Sequence, residues 1–235
     1  MTCTGKSLYV RYFLVFSEEP IIPKVRVAGF SISIDGFGAG PHQRLEDPLG
    51  QRGPELFQWF FATKFFCDMV GKGGGESGVD NDYAARAMSN FGAFILGRNM
   101  FGPVRGPWPD EQWKGWWGET PPYHAPTFIL THHARAPITM QGGTTFYFVT
   151  DGIESALRQA RAAAGDKDVK IGGGVATVRQ YLGIDAIDEI HLAVSPVVLG
   201  RGENLLAGID LAKMGFKVIE HTPAARATHI LLSKS

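Results

Sequence analysis

From Lys24 to Ile34 apolar and small residues alternate through a β-branched run that stops at Asp35-Gly36, which predicts a buried strand and a turn. Pro54 to Met69 opens with proline at a helix-start position and stays aromatic for about four turns, which predicts a core-facing helix. Gly71 to Gly78 reads as a loop, Asn81 to Asn90 as a short helix and Phe91 to Gly97 as a second buried strand. Gly102 to Pro122 is dense in Gly, Pro and Trp and has no period, so it reads as a long excursion from the framework.

Regular patterning then resumes. Pro126 to His132 and Thr144 to Thr150 read as strands. Asp151 with Glu154 resembles a capping box that opens a helix whose Ile153, Ala156, Leu157, Ala160 and Ala164 share one face, with Gly165 closing it. A strand at Asp168 to Ile171, three glycines, a helix at Val175 to Leu182 and a strand at Asp188 to Ser195 follow. Phe216 to His221 and Thr228 to Leu232 read as a terminal hairpin. Strands alternating with helices before a hairpin predict an α/β fold: one mostly parallel sheet of about eight strands, helices on both faces and an antiparallel C-terminal edge.

Composition narrows the function. With 23 basic against 23 acidic side chains there is no net field to hold nucleic acid or an anionic membrane, so a small-molecule substrate is the expected partner. The two cysteines, Cys3 and Cys67, form neither a disulfide framework nor a metal motif, which suits a reducing cytoplasm. Residues 1–22 contain the apolar run Leu8 to Phe16, but Arg11 interrupts it and Glu18-Glu19 follow, so it is read as an extension or an added edge strand and not as a signal peptide. Residues 23–235 are expected to be one domain, since 235 residues fit one large core as well as two.

Chemistry concentrates in a few places. Gly172, Gly173 and Gly174 between a strand and a helix either make a tight turn or let a phosphate approach a helix N-terminus. Arg98 after a strand is either a surface ion-pair partner or an anion ligand, and Asp35 is either a turn residue or an ionisable group beside a ligand. Gly73, Gly75 and Gly78 spell a dinucleotide fingerprint but follow a helix, which favours a plain loop. His132-His133 have no third ligand spaced with them, so no metal is expected. Trp108, Trp113, Trp116 and Trp117 could pack over the core, form a lid or contact another subunit, which leaves a homodimer open.

VRVAGFSISIDG, FILGRNMF, PTFILTHH, IGGGVATVRQYL and IDEIHLAVSPVVLGRGENLL, in that order, resemble the dihydrofolate reductase-like superfamily, and most closely its riboflavin-biosynthesis reductase branch, the RibD C-terminal type. The resemblance implies a reductase that binds NADPH and passes its hydride to a small electron-poor heterocycle, pterin- or pyrimidine-like. It implies that Gly172, Gly173, Gly174, Ala176 and Thr177 hold the pyrophosphate. Gly97, Arg98, Thr131 and His132 fall on its adenosine side, where a guanidinium suits a 2′-phosphate. Ala28 and Gly36 would pass near the nicotinamide, with Asp35 as the catalytic candidate and Ser33 and Glu55 as substrate contacts.

One departure bears on substrate. PELFQWF puts Leu56 where a pterin-binding carboxylate would stand in true dihydrofolate reductases, and Glu55 points about 100° away on a helix, which puts folate in doubt. Two rivals remain: a riboflavin-pathway reductase of a ribosylaminopyrimidine phosphate, and a cofactor-binding sensor without turnover.

Overall fold

The computed structural model describes residues 23–102 and 105–234, and the reading of residues 1–22 lies outside them. In chain order the strands are β1 (Val25–Ser33), β2 (Phe37–Ala39), β3 (Phe91–Gly97), β4 (Pro126–Leu130), β5 (Ile138–Thr139), β6 (Thr145–Val149), β7 (Asp168–Gly173), β8 (Glu189–Ser195), β9 (Glu203–Asn204), β10 (Phe216–Pro223) and β11 (Thr228–Lys234). The helices are α1 (Gln58–Phe61), α2 (Lys64–Met69), α3 (Val79–Arg86), α4 (Arg98–Phe101), α5 (Ile153–Ala164) and α6 (Val175–Gly183).

One nine-stranded sheet runs β10-β11-β8-β1-β7-β3-β4-β6-β5, and β2 pairs with β9 in a separate ribbon. From β8 across to β6 every pairing is parallel, whereas β11, β10 and the short β5 are antiparallel to their neighbours. This is the α/β architecture the pattern predicts, with nine strands in place of about eight. The added elements β2, β5 and β9 have two or three residues each, too short to show a period.

Helices cover both faces because the strands alternate their side chains. Ile190 and Leu192 on β8 join the large core beneath α5 and α6, while Ala193, next along the strand, turns to Trp59, Tyr83 and Ala84 of α1 and α3. In α5 the buried positions Ala156, Leu157, Ala160 and Ala164 are those the helical period selects.

Three local expectations change. The helix expected over Pro54 to Met69 divides into a 3-10 turn at Gly53–Phe57, then α1 and α2. Thr63 breaks it by taking extended geometry and capping Phe66 N through Oγ1 at 3.1 Å, while Glu76 bonds the backbone of Ala62 and Lys64. The capping box at Asp151 and Glu154 does not form: Gly152 is the N-cap and no side chain caps the helix. The helix placed at Asn81 to Asn90 instead spans Val79–Arg86. Among the described residues no helix is long and apolar enough to cross a membrane.

β1 and β7 pair only at their amino ends, Val25 with Val169 and Arg26 with Lys170. Beyond that point β1 follows β8 up to Ser33 opposite Ser195, and β7 follows β3 up to Gly173 opposite Leu96. The two strands therefore part, leaving a wedge that widens toward the carboxyl edge of the sheet.

Candidate active site

Parallel strands bring their carboxyl ends to one edge, so Ser33, Gly97, Thr131 and Gly173 gather there although the sequence spreads them widely. Gly97 lies against the glycine turn: a side chain on it would meet Thr177 Oγ1 at 2.4 Å, Gly173 O at 3.4 Å and Gly174 N at 3.4 Å. The three glycines differ in what they face. A Cβ on Gly172 would strike Leu96 at 2.4 Å, and one on Gly173, at φ +111°, would meet the Phe30 ring at 3.3 Å, whereas one on Gly174 would enter open space.

Gly174 is the N-cap of α6, and its carbonyl accepts from Thr177 N at 3.0 Å and Val178 N at 3.1 Å. The first turn of a helix offers N–H groups with no intrahelical acceptor and a positive dipole end. Here Ala176 is exposed and Thr177 buried in that turn. The turn therefore presents the start of a helix behind one glycine, Gly174, whose Cβ position is open. An anionic diphosphate fits it.

Directly after Gly97, Arg98 lies under the Trp-rich segment, with its Cζ 3.4 Å from the centroid of Trp108. Its Nη1 donates to Gly102 O, while Nε and Nη2 are buried without a partner. Burial, and then the charge of Arg135, lower its pKa to about 10. Thr131 is buried and its Oγ1 accepts from His133 N at 3.2 Å, and His132 is exposed. Trp108 Nε1 donates to His133 O at 2.9 Å, which ties the end of β4 to Arg98 across one ring. The orphaned guanidinium nitrogens fit an oxyanion ligand such as a phosphate.

The Asp35 carboxylate is held by backbone N–H groups of the loop after β8. Leu199 N donates to Asp35 Oδ1 at 3.1 Å and Gly200 N to Oδ2 at 2.6 Å, so the carboxylate clamps the loop after β8. The Ser33 hydroxyl foremost, helped by the backbone of Gly200 and Leu199, holds its pKa below the usual carboxylate range against the opposing effect of desolvation. Ser33 Oγ also accepts from Phe37 N at 2.9 Å. Gly36, at φ +86°, makes room for Asn204, whose Nδ2 donates to Asp35 O at 3.0 Å.

Ala28 and Glu55 both have partners within the chain. Ala28 is buried in a cluster with Ala87, Phe91, Phe94 and Ala125. Glu55 is engaged by Arg52 at 2.8 and 2.9 Å on the surface, and Arg52 also donates to Val198 O at 2.9 Å.

Pattern reading missed a buried relay beside the wedge. Gly29 N–H donates to His191 Nδ1 at 3.1 Å, which leaves His191 Nε2–H to donate to His229 Nδ1 at 3.1 Å and His229 Nε2–H to donate to Asp80 Oδ1 at 2.9 Å. Tyr83 stacks on His229 at 4.0 Å. The relay pins β1 at Gly29, inside the register shift that separates Val27 from Phe30. Burial foremost, then the charges of His229 and nearby cations, pushes the His191 pKa down to about 3. Among the described residues no cluster of three or more His, Cys, Asp or Glu could hold a metal.

A family model described as the RibD C-terminal domain matches residues 23–229. Among solved structures, a protein named for riboflavin biosynthesis from Shewanella sp. PV-4 is similar over 90% of this chain and 97% of its own, at 19% identity and a TM-score of 0.52. A diaminohydroxyphosphoribosylaminopyrimidine deaminase/5-amino-6-(5-phosphoribosylamino)uracil reductase from Thermotoga maritima is similar over 91% of this chain, at 15% identity and a TM-score of 0.53. The chain spans 57% of that protein's length. At such identities the likeness is one of fold. Comparison with curated protein sequences finds no match.

Proposed function

Because the chain belongs to the RibD C-terminal domain family, we propose that it is a reductase that binds NADPH along the carboxyl edge of the sheet and reduces a small electron-poor heterocycle, pterin- or pyrimidine-like. The observation that carries this reading is the close packing of Gly97 on Thr177 and the glycine turn, with space left open in front of Gly174 at the start of α6. Bound there, the cofactor would supply a hydride.

The chain's own task in this reading is to orient. The first turn of α6 holds the diphosphate, and Arg98 with Thr131 and His132 takes the 2′-phosphate side. The wedge between β1 and β7, floored by Phe30, holds a flat ring at a fixed height. Asp35, ionised and bound by two backbone N–H groups, positions the Leu199–Gly200 loop beside the acceptor instead of handing over a proton. Ordered water is then the proton source.

Calorimetric titration with NADPH and NADH tests the reading. Tighter binding of NADPH is expected, and Arg98→Ala should cut that preference with little loss of stability. Absence of binding to either dinucleotide would refute it. NADPH oxidation with quinonoid, pterin and pyrimidine acceptors then separates an enzyme from a sensor, since a sensor binds and turns over none of them.

A further inference from the structure

Arg98 is not the only cation beside Trp108. The Cζ of Arg135 lies 5.0 Å from the centroid of the same Trp108 ring, 5.4 Å from Phe148 and 5.8 Å from Phe101. Its Nη2 donates to Glu111 O at 2.6 Å, and its Nη1 is buried with no partner. Among the described residues neither guanidinium has a carboxylate within ion-pair distance, although the chain pairs Arg26, Arg52, Arg86 and Arg226 with carboxylates.

Arg135 lowers the Arg98 pKa through its charge, while Glu111 and Asp110 act on Arg135 without an ion pair, which leaves two partly desolvated guanidinium groups with unused donors that an anion would satisfy. Three orphaned nitrogens are available, Nε and Nη2 of Arg98 and Nη1 of Arg135. A carboxylate carries one charge, but a phosphomonoester carries close to two at neutral pH and three acceptor oxygens, which matches both the charge and the donor count. A phosphodiester, with a single charge, matches neither.

We propose that Arg135 joins Arg98 in a two-guanidinium clasp for a terminal phosphate, so that selectivity for the 2′-phosphorylated dinucleotide is set by Arg135 as well as Arg98. This rests on the reductase reading above. Trp108 roofs the clasp: its ring covers Arg98 and is tethered by the Nε1 hydrogen bond to His133 O. The phosphate reaches the buried nitrogens when that ring lifts, so Trp108 reports occupancy.

The test is calorimetric titration of wild type, Arg135→Gln and Arg135→Lys with NADPH, NADH and adenosine 2′,5′-bisphosphate, alongside tryptophan fluorescence and thermal melts. In Arg135→Gln, affinity for NADPH and the bisphosphate is expected to fall about ten- to hundredfold, the scale of a lost charge-assisted contact, with NADH within about twofold of wild type. Arg135→Lys should recover part of the loss, since it keeps the charge without the fork. The bisphosphate should quench wild-type fluorescence, and Trp108→Phe should remove that signal.

Wild type that prefers NADPH while Arg135→Gln keeps the full preference overturns the clasp and leaves the reductase reading standing. Wild type that binds no dinucleotide overturns both. Removing Arg135 relieves a buried charge, so the melts should show a folded variant. If Arg135→Gln is unfolded, an Arg135→Lys variant with unreduced preference for NADPH over NADH and no loss of bisphosphate affinity also counts against the clasp.

Discussion

Gly174→Val isolates ligand approach from protein packing better than any other change in the glycine turn. At Gly173 the positive φ and the Phe30 ring at 3.3 Å would strain any side chain, and at Gly172 Leu96 stands at 2.4 Å from the Cβ position, so loss of binding there would have two explanations. Gly174 has φ −74° and ψ −162°, which L-residues adopt, and a Cβ there meets nothing within 4 Å. Replacing glycine at a compatible backbone position stabilises by about 0.4–1 kcal/mol through the unfolded chain. For a chain of this length that raises Tm by about 1–4 °C. On the binding side, a valine in front of α6 displaces the diphosphate from about two charge-assisted contacts worth about 1.5–3 kcal/mol each. The summed loss of about 3–6 kcal/mol weakens Kd roughly 10²- to 10⁴-fold. Calorimetry against NADPH with a parallel thermal melt measures both quantities on one preparation. A variant with unlowered Tm and NADPH affinity within threefold of wild type would show that the glycine segment is only a turn.

The remaining expectations address charge and the Asp35 clamp. His191, with a pKa near 3 against 6.5 unfolded, takes up a proton only on unfolding between those values, so stability should fall by about 1.4 kcal/mol per unit as pH drops from about 6.5 to 3. Urea titrations across that range should show a shallower slope in His191→Gln, and an unchanged slope would remove the relay from the account. Lys170 is fully buried, donates to Ala87 O at 2.6 Å and has a pKa lowered to about 7, by burial first and then by Arg26. Its unfolded form holds a proton that the folded form has lost between pH 7 and 10.5, so stability should rise with pH across that window, and Lys170→Met should abolish the rise. Asp35→Asn should loosen the Leu199–Gly200 loop and raise KM for the acceptor while leaving the pH profile of kcat unchanged. A lost titration limb would restore Asp35 as the proton donor.

The sequence displayed whatever was periodic. α5 carries its apolar face at helical spacing, β3 is an apolar run that only a sheet covered on both faces can bury, and β8 alternates Ile190, Leu192 and Val194 with Glu189, His191 and Ala193. The glycine turn was legible for the same reason, because a strand, three glycines and a helix follow without a break. The break at Thr63 was not, since it depends on Glu76 bonding the backbone from outside the helix, a contact with no local signature. Composition marked the Asp35 turn but not its partners Leu199 and Gly200, which stand about 165 residues away in the chain. Arg135 fell outside every motif, because its significance comes from a ring it shares with Arg98 and not from spacing. The packing of Ala28 against Ala87, Phe91, Phe94 and Ala125 was equally illegible, because those partners come from distant stretches of the chain.

The parting of β1 from β7 also bears on how this chain can be made. β1 occupies the middle of the sheet, yet its parallel neighbour β8 ends at Ser195, long after β1 itself is complete at Ser33. At ribosomal rates of about 5–20 residues per second, β1 emerges roughly 8–30 s before the strand it follows for most of its length. Until β7 arrives to pair with its amino end, this Val-, Ile- and Phe-bearing segment waits with neither backbone edge satisfied, and the edge that β8 will cover stays open to the end of that interval. Nascent chains stalled before β8 should therefore be the species that need chaperone cover, and protein yield in the cell will depend on the pace of translation through that stretch as well as on the stability of the finished fold.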